Sequence, residues 1–173
     1  EYHFLQSTLA WGALSNVTLY GGFQQLEDKY SNALLGAGFN LGSVGALSLD
    51  ASQSWADIKE NPTADNTTAS EGQSYRVRFS KDFPLTGTNF SVAGYRYSTH
   101  GYYSLQNFID RANAHSGCCS LTGRTKDRFD ASASQIFSGF GSLALSLVSE
   151  SYWDNSRMES LGVSYSNTLG RIS

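Results

Sequence analysis

The sequence predicts an all-β chain, an antiparallel up-and-down meander of about nine long strands. Three observations predict it. Apolar and polar residues alternate with period two over long stretches, while helical periodicity is weak. Most stretches reach ten or more residues, longer than the ~5–6 usual in globular sheets. Short turns join consecutive stretches, and no shift in composition marks a second domain, so residues 1–173 read as one segment.

The first three strands fall near 3–11, 17–25 and 31–40. The fourth, near 44–54, sets Leu47 and Leu49 against Ala46, Ser48 and Asp50. The fifth, near 73–82, alternates Tyr75, Val77 and Phe79 with Ser74, Arg76, Arg78 and Ser80. A sixth near 88–99 leads to a seventh near 126–137, where Phe129, Ala131 and Ala133 alternate with Arg128, Asp130, Ser132 and Ser134. The eighth, near 141–152, sets Leu143, Leu145 and Leu147 against Ser142, Ala144 and Ser146. The ninth, near 157–168, sets Leu161, Val163 and Tyr165 against Ser160, Gly162 and Ser164.

The connections divide into two sets. Turns near Gly12–Asn16, Asn40–Val44, Asp82–Gly87 and Ser138–Gly141 are short. They alternate with connections near Leu26–Tyr30, Trp55–Gly72, Gly101–Thr125 and Trp153–Arg157, two of them long and polar. In a meander, alternate connections lie at one end of the sheet, so both long ones are expected together and mobile. Short turns at one end and long loops at the other are the pattern of outer-membrane barrels.

Composition narrows the function. A formal net charge of −3 with 12 Lys+Arg gives no basic stripe for nucleic acid. No apolar run approaches the ~18 residues of a spanning helix, which leaves β-barrels open because their strands alternate. No basic, apolar and small-residue leader is visible at Glu1, so no signal peptide is expected in this stretch. The polar strand faces hold Ser, Thr, Gly and Ala with sparse charges, a set that suits a polar lumen. A soluble β-barrel or sandwich that binds a ligand is the alternative. Tyr20, Tyr30, Tyr95, Tyr97, Tyr102, Tyr103, Tyr152 and Trp153 lie mainly near strand ends, where either interfacial girdles or ordinary packing accounts for them.

Little in the sequence points to catalysis. His3, His100 and His115 lack partners at metal-ligand spacing. No Gly-x-Ser-x-Gly elbow occurs, and Gly36-Ala37-Gly38 is followed by Leu41 where a dinucleotide fingerprint needs glycine. Asp50, Asp130, Glu150 and Asp154 could form a glycosidase-like couple only if folding paired them. Asn89-Phe90-Ser91 matches a glycosylation acceptor but sits mid-strand. Cys118 and Cys119 are adjacent, which disfavours a bridge between them; free loop thiols, an oxidised loop and pairing outside the chain stay open. No catalytic, cofactor-binding or metal-binding residue is expected, and no cofactor.

The run Gly87-Thr88-Asn89-Phe90-Ser91-Val92-Ala93-Gly94-Tyr95-Arg96-Tyr97-Ser98-Thr99-His100-Gly101-Tyr102-Tyr103 closely resembles fimbrial outer-membrane usher proteins of the chaperone–usher pathway. So do Thr18-Leu19-Tyr20-Gly21-Gly22-Phe23-Gln24, Gly45-Ala46-Leu47-Ser48-Leu49-Asp50 and the stretch from Gly72 to Lys81, as well as Gly141-Ser142-Leu143 and Tyr152-Trp153. The resemblance implies a part of a large transmembrane β-barrel of about two dozen strands in a bacterial outer membrane. It implies a pore that passes and orders chaperone-delivered pilus subunits, and a non-enzymatic role. Its partners would be pilus subunits, periplasmic chaperone–subunit complexes, a plug domain of the same parent chain and membrane lipid, with no nucleic acid. The segment would lie downstream of the plug insertion, without the periplasmic domains.

Two faces follow. Arg76, Arg78, Arg96, Asp130 and Glu150 are expected to line the pore, with pairing of the arginines to Asp50 or Asp130 as the competing role. Leu47, Leu49, Val77, Phe79, Leu143, Leu145, Leu147, Leu161 and Val163 are expected to face lipid in the parent. As an isolated segment in water, the sheet is expected to curl into a small barrel or sandwich that buries these apolar rows.

Overall fold

A computed structural model describes residues 3–27, 29–59, 67–113 and 124–167. It forms one antiparallel sheet of nine strands in strict sequence order: β1 (Phe4–Leu14), β2 (Val17–Leu26), β3 (Tyr30–Asn40), β4 (Ala46–Lys59), β5 (Thr67–Phe83), β6 (Thr88–Ser98), β7 (Thr125–Phe137), β8 (Gly141–Tyr152) and β9 (Arg157–Ser166). The meander expected from alternation is therefore the fold. Because the antiparallel pairings run β1 to β9 without a crossover, the β4–β5 and β6–β7 connections leave from one end, opposite the short turns.

Two local expectations need correction. Residues 55–59 and 67–72 are not loop: Trp55 pairs with Glu71, Ala56 with Ser70 and Ile58 with Thr68. The polar composition reads as a connection, yet alternation persists through it, with Ala56 and Ile58 buried while Trp55 and Asp57 stay exposed. The second correction is a helix, α1 (Leu105–Asn113), in the β6–β7 connection. Ser104 caps it, its hydroxyl accepting from the Asn107 N–H at 3.2 Å, and Leu105 and Phe108 face the sheet. Residues 101–113 of that connection are therefore packed; residues 60–66 and 114–123, the rest of the two stretches expected to be mobile, lie outside the described residues.

The helix makes the largest buried apolar cluster among the described residues. Tyr30, Ala56, Ile58, Tyr103 and Phe108 are buried together, with Leu26 and Leu105 against them, all on the polar face at the long-loop end. Elsewhere the sheet is a single layer. Its accessible surface is 11976 Å², whereas a compact 18.8 kDa monomer exposes about 8,300 Å².

The excess lies on the apolar rows. Leu161 is 73% exposed and Val163 65%, more than the Arg76 side chain at 40%. The expected curling into a small barrel or sandwich is thus overturned. The face that is covered is the polar one, where the described part of the β6–β7 connection folds over the sheet from β6 to β3. Among the described residues β1 and β9 remain unpaired edges.

Candidate functional site: the polar face

The strand registers align one row across the polar face. Tyr20 on β2 stands opposite Gly36 on β3, then Asp50 on β4, Arg76 on β5, Arg96 on β6, Arg128 on β7 and Glu150 on β8. Period two places Arg78, Asp130, Ser74 and Ser98 on the same face. Of the expected pore-lining set, Arg76, Arg96 and Glu150 lie in this row, with Arg78 and Asp130 one step along it. Leu47, Leu49, Val77, Phe79, Leu143, Leu145, Leu147, Leu161 and Val163 all fall on the opposite face.

The ends of the row are self-satisfied. Arg76 donates from Nε to Asp50 Oδ2 at 2.6 Å, and Tyr20 donates its hydroxyl to the other Asp50 oxygen. Asp50 is only 8% exposed, so these two donors carry the desolvation of its charge. Gly36 makes the arrangement possible. A Cβ there would meet the Tyr20 ring, and Asp50 Oδ1 at 2.6 Å. Gly36→Ala is expected to swing Tyr20 away and leave Asp50 with one donor, at a cost of about 1–3 kcal/mol. Denaturant unfolding of the variant beside Tyr20→Phe checks this: the two changes should be non-additive.

At the other end Arg128 holds two carboxylates. Its Nη2 is 2.9 Å from Asp130 Oδ1 and its Nη1 is 3.5 Å from Glu150 Oε2. Thr125 donates to Glu150 Oε1 at 2.6 Å. The competing role therefore holds for Arg76 with Asp50, whereas Asp130 is taken by Arg128, an arginine the sequence reading did not single out.

Arg96 differs. Its Nε donates to Ser74 Oγ at 3.0 Å, and its guanidinium carbon lies 5.3 Å from the Tyr102 ring centre. Ser98 donates to the same Ser74 oxygen at 3.1 Å, so the hydroxyl pair is fixed beneath it. No carboxylate reaches Arg96 or Arg78 among the described residues.

For four of the aromatics where girdle and packing are the two alternatives, the places are internal. Tyr20 belongs to the polar row, and Tyr30, Tyr102 and Tyr103 are covered on that same face. Tyr30 donates to the Tyr103 carbonyl at 3.2 Å, and Tyr103 N–H donates to the buried Ser54 hydroxyl at 3.1 Å. Exposed tyrosines and tryptophans on the apolar face are instead Trp11 and Tyr165 towards the short-turn end and Trp55 and Tyr75 towards the other.

The remaining candidates among the described residues have structural partners. His100 stacks edge-on against Trp153 at 5.3 Å, and its Nε2 accepts from Arg124 Nη2 at 2.8 Å. His3 is exposed at the chain start; His115, Cys118 and Cys119 lie outside the described residues. Among the described residues no group of His, Cys, Asp or Glu could hold a metal ion. Asp154 sits in the β8–β9 turn, where the Ser156 hydroxyl at 2.5 Å and the Ser156 N–H at 2.9 Å hold its carboxyl below the usual range. These bonds let Asn155 adopt its left-handed φ of 65°.

The comparisons with known proteins agree with this layout. The family model described as outer membrane usher protein matches residues 1–173. The outer membrane usher protein AfaC of Escherichia coli is 34% identical over 97% of this chain and 19% of its own length. LpfC of Salmonella typhimurium is 34% identical over 99% of this chain and 20% of its own. Among solved structures, the P pilus usher (PapC) translocation pore superposes with a TM-score of 0.73, at 26% identity over 92% of this chain and 31% of that one. The chain spans about a fifth to a third of the length of the relatives it matches.

Proposed function

This chain belongs to the outer membrane usher family, and we propose that it forms part of the wall of an outer-membrane pore that translocates and orders pilus subunits. The carrying observation is the two-faced sheet, with an uncovered apolar face and a hydroxyl- and arginine-rich polar face. Strands of 10 to 17 residues are long enough for the ~9–11 that cross a bilayer.

In this reading Leu47, Leu49, Val77, Phe79, Leu143, Leu145, Leu147, Leu161 and Val163 face lipid. Arg76, Arg78, Arg96, Asp130 and Glu150 face the lumen, and β1 and β9 pair with further barrel strands. A lumen of small hydroxyls suits passage of a folded subunit, because sticky apolar patches would stall it. The segment lies downstream of a plug insertion, the subunits arrive on chaperones, and the task requires no catalytic group.

Cysteine accessibility tests it. In a full-length usher with Cys118 and Cys119 replaced by Ser, single cysteines at Ser132, Ala144 and Ser146 should react with a membrane-impermeant maleimide. Cysteines at Leu145, Leu147 and Leu161 should not. Equal labelling of both sets would refute the assignment of faces.

A further inference from the structure

We infer that Arg78 and Arg96 form a receptor for carboxylate side chains of a polypeptide inside the pore, an inference that rests on the polar face being lumenal. Four arginines share this patch, and their partners divide them. Arg76 is neutralised by Asp50, and Arg128 by Asp130 and Glu150. Arg78 and Arg96 are met by no carboxylate among the described residues. Arg76 lies directly opposite Arg96, and Arg78 follows two residues along β5, at the register shift between Val77 and Phe79. The two arginines therefore stand on adjacent strands of the polar face, where long side chains can converge on one group.

Arg96 is braced for the task. Ser74 takes its Nε–H, and the Tyr102 ring covers one side of the guanidinium. Tyr102 is itself held, its hydroxyl 3.3 Å from Ser52 Oγ. What remains free is the Nη edge, which matches the two oxygens of a carboxylate. The flanking cations Arg76 and Arg128 sit directly opposite Arg96 on both neighbouring strands. Both are already paired with carboxylates, so Arg96 is the cation of the row left to an incoming carboxylate. The contact remains wet and screened, hence weak enough to release its guest. Arg78, opposite Ser48, supplies the second donor on the side towards the short turns.

The test uses a full-length usher carrying these residues in a planar bilayer, with tetraglutamate peptide added to one side. The peptide should reduce the open-pore current, and the Arg78→Gln/Arg96→Gln double variant should need about tenfold more of it, the value of one charge-assisted contact. Arg157→Gln, on the opposite face, should match the wild type, and tetralysine should not block. If the double variant fails to fold, Arg96→Lys keeps the charge without the fork and should weaken the block by a smaller factor. Equal block of wild type and variant overturns the inference, as does equal block by tetralysine. A changed chloride selectivity with unchanged peptide block also overturns it. Unreactive cysteines on the polar face would instead sink the lumenal reading itself, so the two failures are distinguishable.

Discussion

Leu147→Arg in a full-length usher is expected to deplete the folded, heat-modifiable barrel from the outer membrane. Leu147 stands near the middle of β8, opposite Ala131 on one side and Leu161 on the other. All three lie on the face that carries no covering element among the described residues, and Leu147 itself is 41% exposed. An arginine at the bilayer midplane costs about 2–4 kcal/mol, falling towards zero at the interfaces. The neighbouring Ser146→Arg adds the same charge one residue away, on the polar face opposite Ser132 and Gly162. It should assemble normally. The ratio of heat-modifiable to total protein on gels reads both; equal loss from the two variants would mean that β8 does not divide lipid from lumen.

That contrast was legible in the sequence because a strand has only two faces. Once Leu143, Leu145 and Leu147 alternate with Ser142, Ala144 and Ser146, the division follows whatever the strand pairs with. The starts of β8 at Gly141 and β9 at Arg157 were legible for the same reason. Cross-strand partnership is a different quantity. It depends on register, which turn length and bulges fix, and a shift of one residue would set Asp50 beside Val77 instead of Arg76. Asp130 illustrates the limit: it pairs within its own strand, with Arg128 two residues earlier.

The unread elements have a common cause. Thr67–Gly72 and Trp55–Lys59 are strand because they pair with each other beyond the main sheet, which their polar composition conceals. Helix α1 is short, and its apolar residues Leu105 and Phe108 gain burial only against Tyr30 and Ile58, far away in sequence. Marginal local propensity becomes structure through tertiary packing, which a one-dimensional pattern does not carry. The Ser104 cap was a readable signal for the helix start.

Gly72→Val is expected to release residues 99–113 of the β6–β7 connection from the polar face. Gly72 lies on β5 opposite the buried Ser54, and the backbone of Gly101 and Tyr102 passes directly over it. A Cβ there would collide with backbone atoms of that segment, so no rotamer change relieves the contact. The segment is otherwise anchored close by: Thr99 N–H donates to the Gln73 carbonyl at 2.8 Å, and Ser70 donates to the Gly101 carbonyl at 3.1 Å. Lifting it draws Tyr103 from Ser54 and Phe108 from Tyr30, whose rings are centred 5.3 Å apart. Release forfeits about 3–5 kcal/mol for one such aromatic in addition to the anchoring hydrogen bonds, so the variant should be destabilised locally by several kcal/mol. The strands themselves are not touched, so the barrel should still form. Hydrogen exchange checks the claim: amides of Tyr103 and Phe108 should lose protection in Gly72→Val while those of Leu145 and Leu147 keep theirs. Uniform loss would mean that Gly72 supports the sheet instead, and unchanged protection would mean that the connection does not rest on this glycine.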